Sequence, residues 1–312
     1  MQELRSDQPE EIEQTPELGI GYSKDGKSVV SKDDKSVVSK PQNEPQAPRL
    51  HGDVWSVVTG DFGSWSGSGS DEWTTAQFTL GADLRLRPTW IVGLLGSVAR
   101  TWGDFSEGDW EGWTYGGGIY TSYWHQGWYV NAAFLGRYST FDISRSDNTG
   151  STNGIDLTGY GSTGYDFVKG NWKFGPWVSL QYDHLTIDGY RESGPSPLSY
   201  SSRDVDSLIS RVGGRIEYNW RLGPITVQPR LELAWGHQWL GNNLSLQANW
   251  VDVPLAVPAR VHGSLTDRNT IWGSIGAEAI ISRHWSIFTS NSIEAGDHFI
   301  NDQVDLGVRF KW

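Results

Sequence analysis

Two Asp-His pairs, Asp183-His184 and Asp297-His298, and the triplet His262-Gly263-Ser264 hold the residue types used for acid–base and nucleophilic catalysis. A histidine beside a carboxylate suits a hydrolase that activates water, and a histidine near a serine suits a serine-dependent hydrolase. Both arrangements need a third group that orients the base, and the spacing places none. The plainer reading, polar residues at strand ends and in loops, is preferred. Gly159-Tyr-Gly161-Ser-Thr-Gly164 matches a dinucleotide fingerprint by letters. That fingerprint needs a strand before it and a helix after it, whereas here it sits inside a strand-like run, where small residues allow close packing. The 7 histidines show no H-x-H or H-x-x-x-H spacing and there are no cysteines, so neither metal nor thiolate chemistry is expected. The chain is expected to be non-enzymatic and to carry no cofactor.

A larger set of charged residues has more to say. Asp83, Arg85, Arg137, Arg211, Arg215, Glu217, Arg230, Glu232, Glu278, Glu294 and Arg309 each fall opposite apolar residues in alternating runs. Charges of both signs on one face of a strand need partners or water. The elements that carry them must therefore enclose a polar interior.

Composition supports that inference. Mean hydropathy is −0.47, and nowhere do about 20 apolar residues run together, as a spanning helix would need. Yet all 18 tryptophans lie from Trp55 onward. A soluble core has little use for so many indole N–H groups, but a transmembrane β-barrel uses them as girdles at its two interfaces. Such a barrel escapes hydropathy scans because every second residue faces a polar lumen. The formal charge of −12 speaks against a nucleic-acid partner.

Residues 1–50 are a different material. They carry Lys24, Lys27, Lys32, Lys35 and Lys40, prolines at 9, 16, 41, 45 and 48, a single aromatic (Tyr22), and a tandem repeat, Ser23–Val30 then Ser31–Val38. So little apolar surface cannot offset chain entropy, and a disordered low-complexity tail or linker is expected, with residues 51–312 forming the folded domain. No positive n-region followed by an apolar h-region is present. The chain is accordingly expected to be processed or truncated, or to have a misassigned start.

From about Gly52, stretches of alternating character are separated by turn signals. The last is the clearest: Val304, Leu306, Val308, Phe310 and Trp312 share one face, and Asp305, Gly307, Arg309 and Lys311 the other. Connections alternate between tight (Arg87–Thr89, His125–Gly127, Lys169–Asn171, Arg221–Pro224, Ser282–His284) and long (Trp65–Glu72, Ser144–Thr152, Ile187–Arg203, Leu240–Asp267). That asymmetry belongs to outer-membrane barrels, with short periplasmic turns and longer outer loops. Trp90, Trp124, Trp128, Trp172, Trp220 and Trp285 each lie within two residues of a tight turn, and with Trp312 they are expected to ring one interface. The spacing predicts a 12-stranded antiparallel transmembrane β-barrel, with Leu244–Trp250 assigned to a hairpin in an outer loop. Inside it, cross-lumen pairing of the charged set is favoured over selective conduction.

The stretch from Trp55 to Trp312 resembles the autotransporter β-domain. The resemblance rests on Gly81-Ala-Asp83, Trp90-Ile-Val-Gly93, Tyr115-Gly-Gly-Gly-Ile-Tyr120, Gly127-Trp-Tyr-Val-Asn131, Gly213-Gly-Arg215, Pro229–Gln238 and Gly307-Val-Arg-Phe310, in that order. It implies a barrel of the bacterial outer membrane that moves or tethers an N-terminal passenger at the cell surface. It also implies outer-membrane lipid, periplasmic chaperones and the barrel-assembly machinery as partners, the last reading Val304, Leu306, Val308, Phe310 and Trp312. Two departures stand out. The 50 residues ahead of the barrel are too few for the sizeable passenger that the resemblance leads one to expect, and Pro41, Pro45 and Pro48 forbid a regular helix, so an extended tether is expected in place of a helical plug. Self-cleaving members cut at an Asn-Asn pair; Asn43 is followed by Glu44, so no self-cleavage is expected. The competing expectations are a stand-alone outer-membrane channel and, less favoured, an outer-membrane hydrolase.

Overall fold

A computed structural model describes residues 51–66, 71–241, 244–250, 259–263 and 267–312. The tail expectation for residues 1–50 lies outside them. Twelve long strands follow in order: β1 His51–Trp65, β2 Asp71–Arg87, β3 Trp90–Phe105, β4 Gly108–His125, β5 Trp128–Arg145, β6 Asn148–Tyr165, β7 Trp172–Ile187, β8 Arg203–Tyr218, β9 Ile225–Leu240, β10 Asn269–Ile280, β11 Trp285–Ala295 and β12 Phe299–Lys311. Each pairs antiparallel with its neighbours in sequence, and β1 pairs with β12 from Asp53↔Lys311 to Trp65↔Phe299. The ring is closed. Closure leaves no sheet edge to be satisfied in lipid, which is what a spanning sheet requires.

Alternation decides which face each residue takes. Phe78, Leu80, Leu94, Ile119, Phe134, Leu180, Leu233, Ile275 and Leu306 stand outward and exposed, while Thr79, Asp83, Asn131, Ser162, Ser179, Glu232 and Arg309 are buried inside. An exposed apolar wall around a polar interior inverts the soluble pattern and fits a barrel bathed in hydrocarbon. Cross-strand fits tighten the wall. Trp55, Tyr120 and Phe288 each lie across their direct partners Gly81, Gly93 and Gly307, where no side chain would fit.

The five tight turns read from the sequence lie at one end, together with both barrel termini. Gln126 and Gly127 have φ of 50° and 89°, so the two-residue link between β4 and β5 follows the strand twist. The other end departs from expectation at one place. Ser144–Thr152 is not a long loop: β5 and β6 continue to the pair Arg145↔Asn148. Beyond the lipid neither face need be apolar, so alternation cannot report a ladder that runs on.

The two longest far-end connections build a separate sheet. Leu244–Trp250 pairs with Ala259–Gly263 and with Leu198–Tyr200, which pairs in turn with Tyr190–Arg191. It adds no thirteenth wall strand. Residues 188–202 are clasped onto the β5–β6 tip: Arg145 donates to both oxygens of Glu192 (3.1 and 2.6 Å), which also accepts from the Leu198 N–H (2.9 Å). Burial opposes ionisation of Glu192, but Arg145 and that N–H outweigh it and hold the carboxyl below its ordinary range. A folded-state value below the unfolded one stabilises above the unfolded value and is lost as pH falls through the folded one. Hydrogen exchange should therefore show the Leu198 amide deprotected on acidification through and below the carboxylate range, after correction for intrinsic rates. A Glu192→Gln variant should lose that pH dependence.

Candidate functional site: the barrel lumen

Inward residues meet across the lumen according to their height on the wall. At the tight-turn end several contacts skip strands. Trp55 on β1 donates to the Tyr120 hydroxyl on β4 (2.7 Å), which donates to Asp83 on β2 (2.8 Å). Arg215 on β8 binds Asp166 through both its carboxylate oxygens (2.9 Å each) and lies 4.0 Å from the Tyr129 ring centre on β5. Lys173 meets Glu217 at 3.1 Å, and Arg309 has Glu278 at 3.3 Å and Asp53 at 3.8 Å. Asp166 sits in the one-residue break between β6 and the short strand Phe167–Lys169. The break forgoes regular ladder geometry and turns a carboxylate inward to Arg215.

Higher up, the lumen widens into a cavity of about 620 Å³ bordered by Tyr160, Trp177, Arg211, Trp272, Asn301 and Asp305, among others. Arg211 reaches Glu294 at 2.7 Å across two intervening strands, Arg137 donates to Asp156 (2.7 Å), Arg230 pairs with Glu232, and Trp177 meets Trp272 edge-on. Asp61, Asp183 and Asp305 accept from neutral donors: Trp73 and Asn301, Thr158 and Gln181, and Thr59 and Ser290 respectively.

The charged residues read from sequence all take the inner face, with Arg85 set over the Trp124 ring at 5.7 Å. Sequence reasoning missed Asp53, Lys173 and Asp166 on that face. Parity would have found the first two, since Asp53 alternates with Val54 and Lys173 with Trp172 and Phe174. Asp166 had no such signal, because the strand breaks there.

The outer wall brings one correction. Trp90, Trp128, Trp172, Trp220, Trp285 and Trp312 are exposed around the tight-turn end, but Trp124 is 7% exposed and points inward. Tyr123 takes the lipid-facing place, as the partner of Trp90. Nearness to a turn gives height on the wall; the face depends on parity. A second ring, absent from the sequence reading, is made by Trp102, Trp113, Tyr115, Trp235 and Trp239. From Trp90 to Trp102, at about 3.3 Å per residue and a tilt near 40°, the rise is about 30 Å, the scale of a bilayer's apolar band. On the terminal strand Val304, Leu306, Val308 and Trp312 are exposed outward, and Phe310 packs on Trp285 with ring centres 4.9 Å apart.

The candidate catalytic pairs come apart. Asp183 faces the lumen, whereas His184 faces outward and bonds Asp206 at 2.8 Å, as adjacent strand residues must. His298 engages Asp267, not Asp297. The His262 side chain and Ser264 lie outside the described residues. Gly159–Gly164 lies wholly within β6 with no helix after it, and no metal-ligating cluster occurs among the described residues.

The family model of the autotransporter β-domain matches residues 54–291. The translocator domain of the autotransporter NalP from Neisseria meningitidis has a similar structure, with a TM-score of 0.68 at 14% identity, covering 86% of this chain and 90% of that one. The transport unit of the autotransporter AIDA-I from Escherichia coli superposes with a TM-score of 0.60 at 15% identity, covering 88% and 93%. The esterase EstA of Pseudomonas aeruginosa is 25% identical over 181 residues, 53% of this chain but only 28% of the esterase. A closed twelve-stranded barrel with a lipid-facing apolar wall belongs in the bacterial outer membrane, and on the match across most of its length this chain is a member of the autotransporter β-domain family.

Proposed function

We propose that residues 51–312 anchor a passenger at the cell surface and that residues 1–50 are the connection to it. One observation carries the reading. β1 starts at the tight-turn end, where Gly52 and Trp312 exchange backbone hydrogen bonds, so a segment joined to His51 has the lumen directly ahead of it. The barrel itself is read as non-enzymatic, because its Asp-His pairs diverge; an ester-hydrolysing activity such as the relative's name implies would reside in an attached passenger. The barrel-assembly machinery and periplasmic chaperones are the further partners, engaged through the outward face of β12.

The absence of cysteine makes the test clean. A single Ser23→Cys variant should react with a membrane-impermeant maleimide on intact cells. Reaction only after the outer membrane is permeabilised would place the segment in the periplasm and favour a stand-alone channel instead.

A further inference from the structure

Basic side chains gather where the tryptophan ring ends. Arg87 is the direct cross-strand partner of Trp90, His125 of Trp128 and Lys169 of Trp172. Directly paired residues share a face of the sheet, and these tryptophans are exposed outward. Each basic side chain therefore leaves the wall on the lipid side, beside an indole. The other two tight turns carry Arg221, next to Trp220, and Arg283, two residues before Trp285, both exposed.

Nothing in the composition calls for such a rim. The chain has 37 acidic residues against 25 lysines and arginines, yet among the described residues at the tight-turn end every exposed charged side chain is basic. The carboxylates at that height, Asp53, Asp166 and Glu217, are buried inside. At the far rim carboxylates are exposed instead, with Glu72, Asp104 and Asp109 as successive cross-strand partners on β2, β3 and β4. Tight turns recur every second strand, so neighbouring cations stand about 10 Å apart around the ring. That is about one Debye length at physiological salt, so they repel one another little and each has room for its own anion. Tryptophans at a membrane interface mark the headgroup level. A long basic side chain there reaches toward phosphate while its stem stays on the apolar wall.

We propose that this rim binds the phosphate groups of anionic phospholipids in the leaflet on the tight-turn side, through Arg87, Lys169, Arg221 and Arg283, and so fixes the depth of the barrel at that face. The rim is continuous with the aromatic girdle that meets lipid, and its charge complements a phosphate layer. Both features favour lipid over a protein partner. The contacts lie outside the lumen and hold whatever occupies it.

The test uses the full chain folded in mixed vesicles of phosphatidylcholine and phosphatidylglycerol. Electron spin resonance of trace spin-labelled lipids reads the ratio in which the two headgroups occupy the layer next to the protein. A Lys or Arg near an anionic surface strengthens binding about fivefold, so averaged over that layer wild type should favour phosphatidylglycerol about two- to threefold. Raising NaCl from about 0.05 M to about 0.5 M shortens the Debye length to about a third and should bring the ratio close to one. The Arg87→Gln/Lys169→Gln/Arg221→Gln/Arg283→Gln variant, shown to be folded by its heat-modifiable migration on gels, should also read close to one. A control with Lys24→Gln, Lys27→Gln, Lys32→Gln, Lys35→Gln and Lys40→Gln together removes still more charge, from the tail, and should keep the preference. Equal occupancy in wild type, a preference indifferent to salt, or one that survives in the folded rim variant would overturn the proposal. So would loss of the preference in the tail variant, since the tail lysines would then be the lipid contact. Surface labelling at position 23 reads the anchoring proposal separately, so either can fail without the other.

Discussion

An Arg309→Met barrel should be less stable than wild type by about 3–5 kcal/mol, the usual cost of removing one member of a buried ionic group. Arg309 is fully buried, and Glu278 and Asp53 lie within 4 Å of its guanidinium. Methionine keeps most of the side-chain volume, so what is lost is charge and not packing. Glu278 and Asp53 then lose a guanidinium within 4 Å in a buried site, where poorly compensated ionisation is costly. The urea midpoint of the barrel folded in detergent or lipid should fall without a change in slope. Adding Asp53→Asn and Glu278→Gln should restore much of the loss, because the penalty lies in the abandoned carboxylates. If the triple variant is no better than Arg309→Met alone, the ionic account of this cluster is wrong.

The second large effect is expected one residue further on. Phe310→Ser should reduce the folded protein in outer-membrane fractions to a small part of the wild-type amount, with the remainder degraded or periplasmic. Phe310 sits in the alternating outward set with Val308 and Trp312, packs on Trp285 at 4.9 Å and stacks on His284 at 6.0 Å. Serine interrupts the apolar stripe of β12 at the lipid boundary while leaving its ladder with β1 intact. A loss of fractionated protein larger than the loss of unfolding stability would assign Phe310 to assembly. Equal fractionation of variant and wild type would remove it from that role. Phe310→Tyr, which keeps the ring, should assemble normally.

Much of this architecture was legible because a barrel wall is periodic. Strands, their facing and the tight turns follow from alternation at a period of two, which is why the charged set could be assigned to one face before any coordinates. Three things were not legible. Trp124 was misplaced because its nearness to a turn was read without its parity. The β5–β6 extension past residue 144 carries no alternation, since water lies on both sides of it. The pairing partners inside the lumen depend on the stagger of strands around the ring, and no local pattern encodes that stagger. Thus Arg215 was placed on the inner face, but its partner Asp166 emerges only from the break after Tyr165. Likewise Asp183 and His184 look like a dyad in one dimension and are held on opposite faces by the pleat.

Closure of β1 onto β12 has a consequence for when the molecule can exist at all. Thr59 donates to Asp305 across a separation of 246 residues, and chain-entropy scaling makes so distant a contact about 5 kcal/mol harder to close than one between immediate neighbours. Hairpins along the wall can form as the chain arrives, but the ring waits for its final residues. Until then the sheet has two open rims, and neither the lumen nor the lipid boundary is complete. The molecule is therefore topologically all-or-nothing: export of the last dozen residues converts an adhesive ribbon into a vessel with no edge.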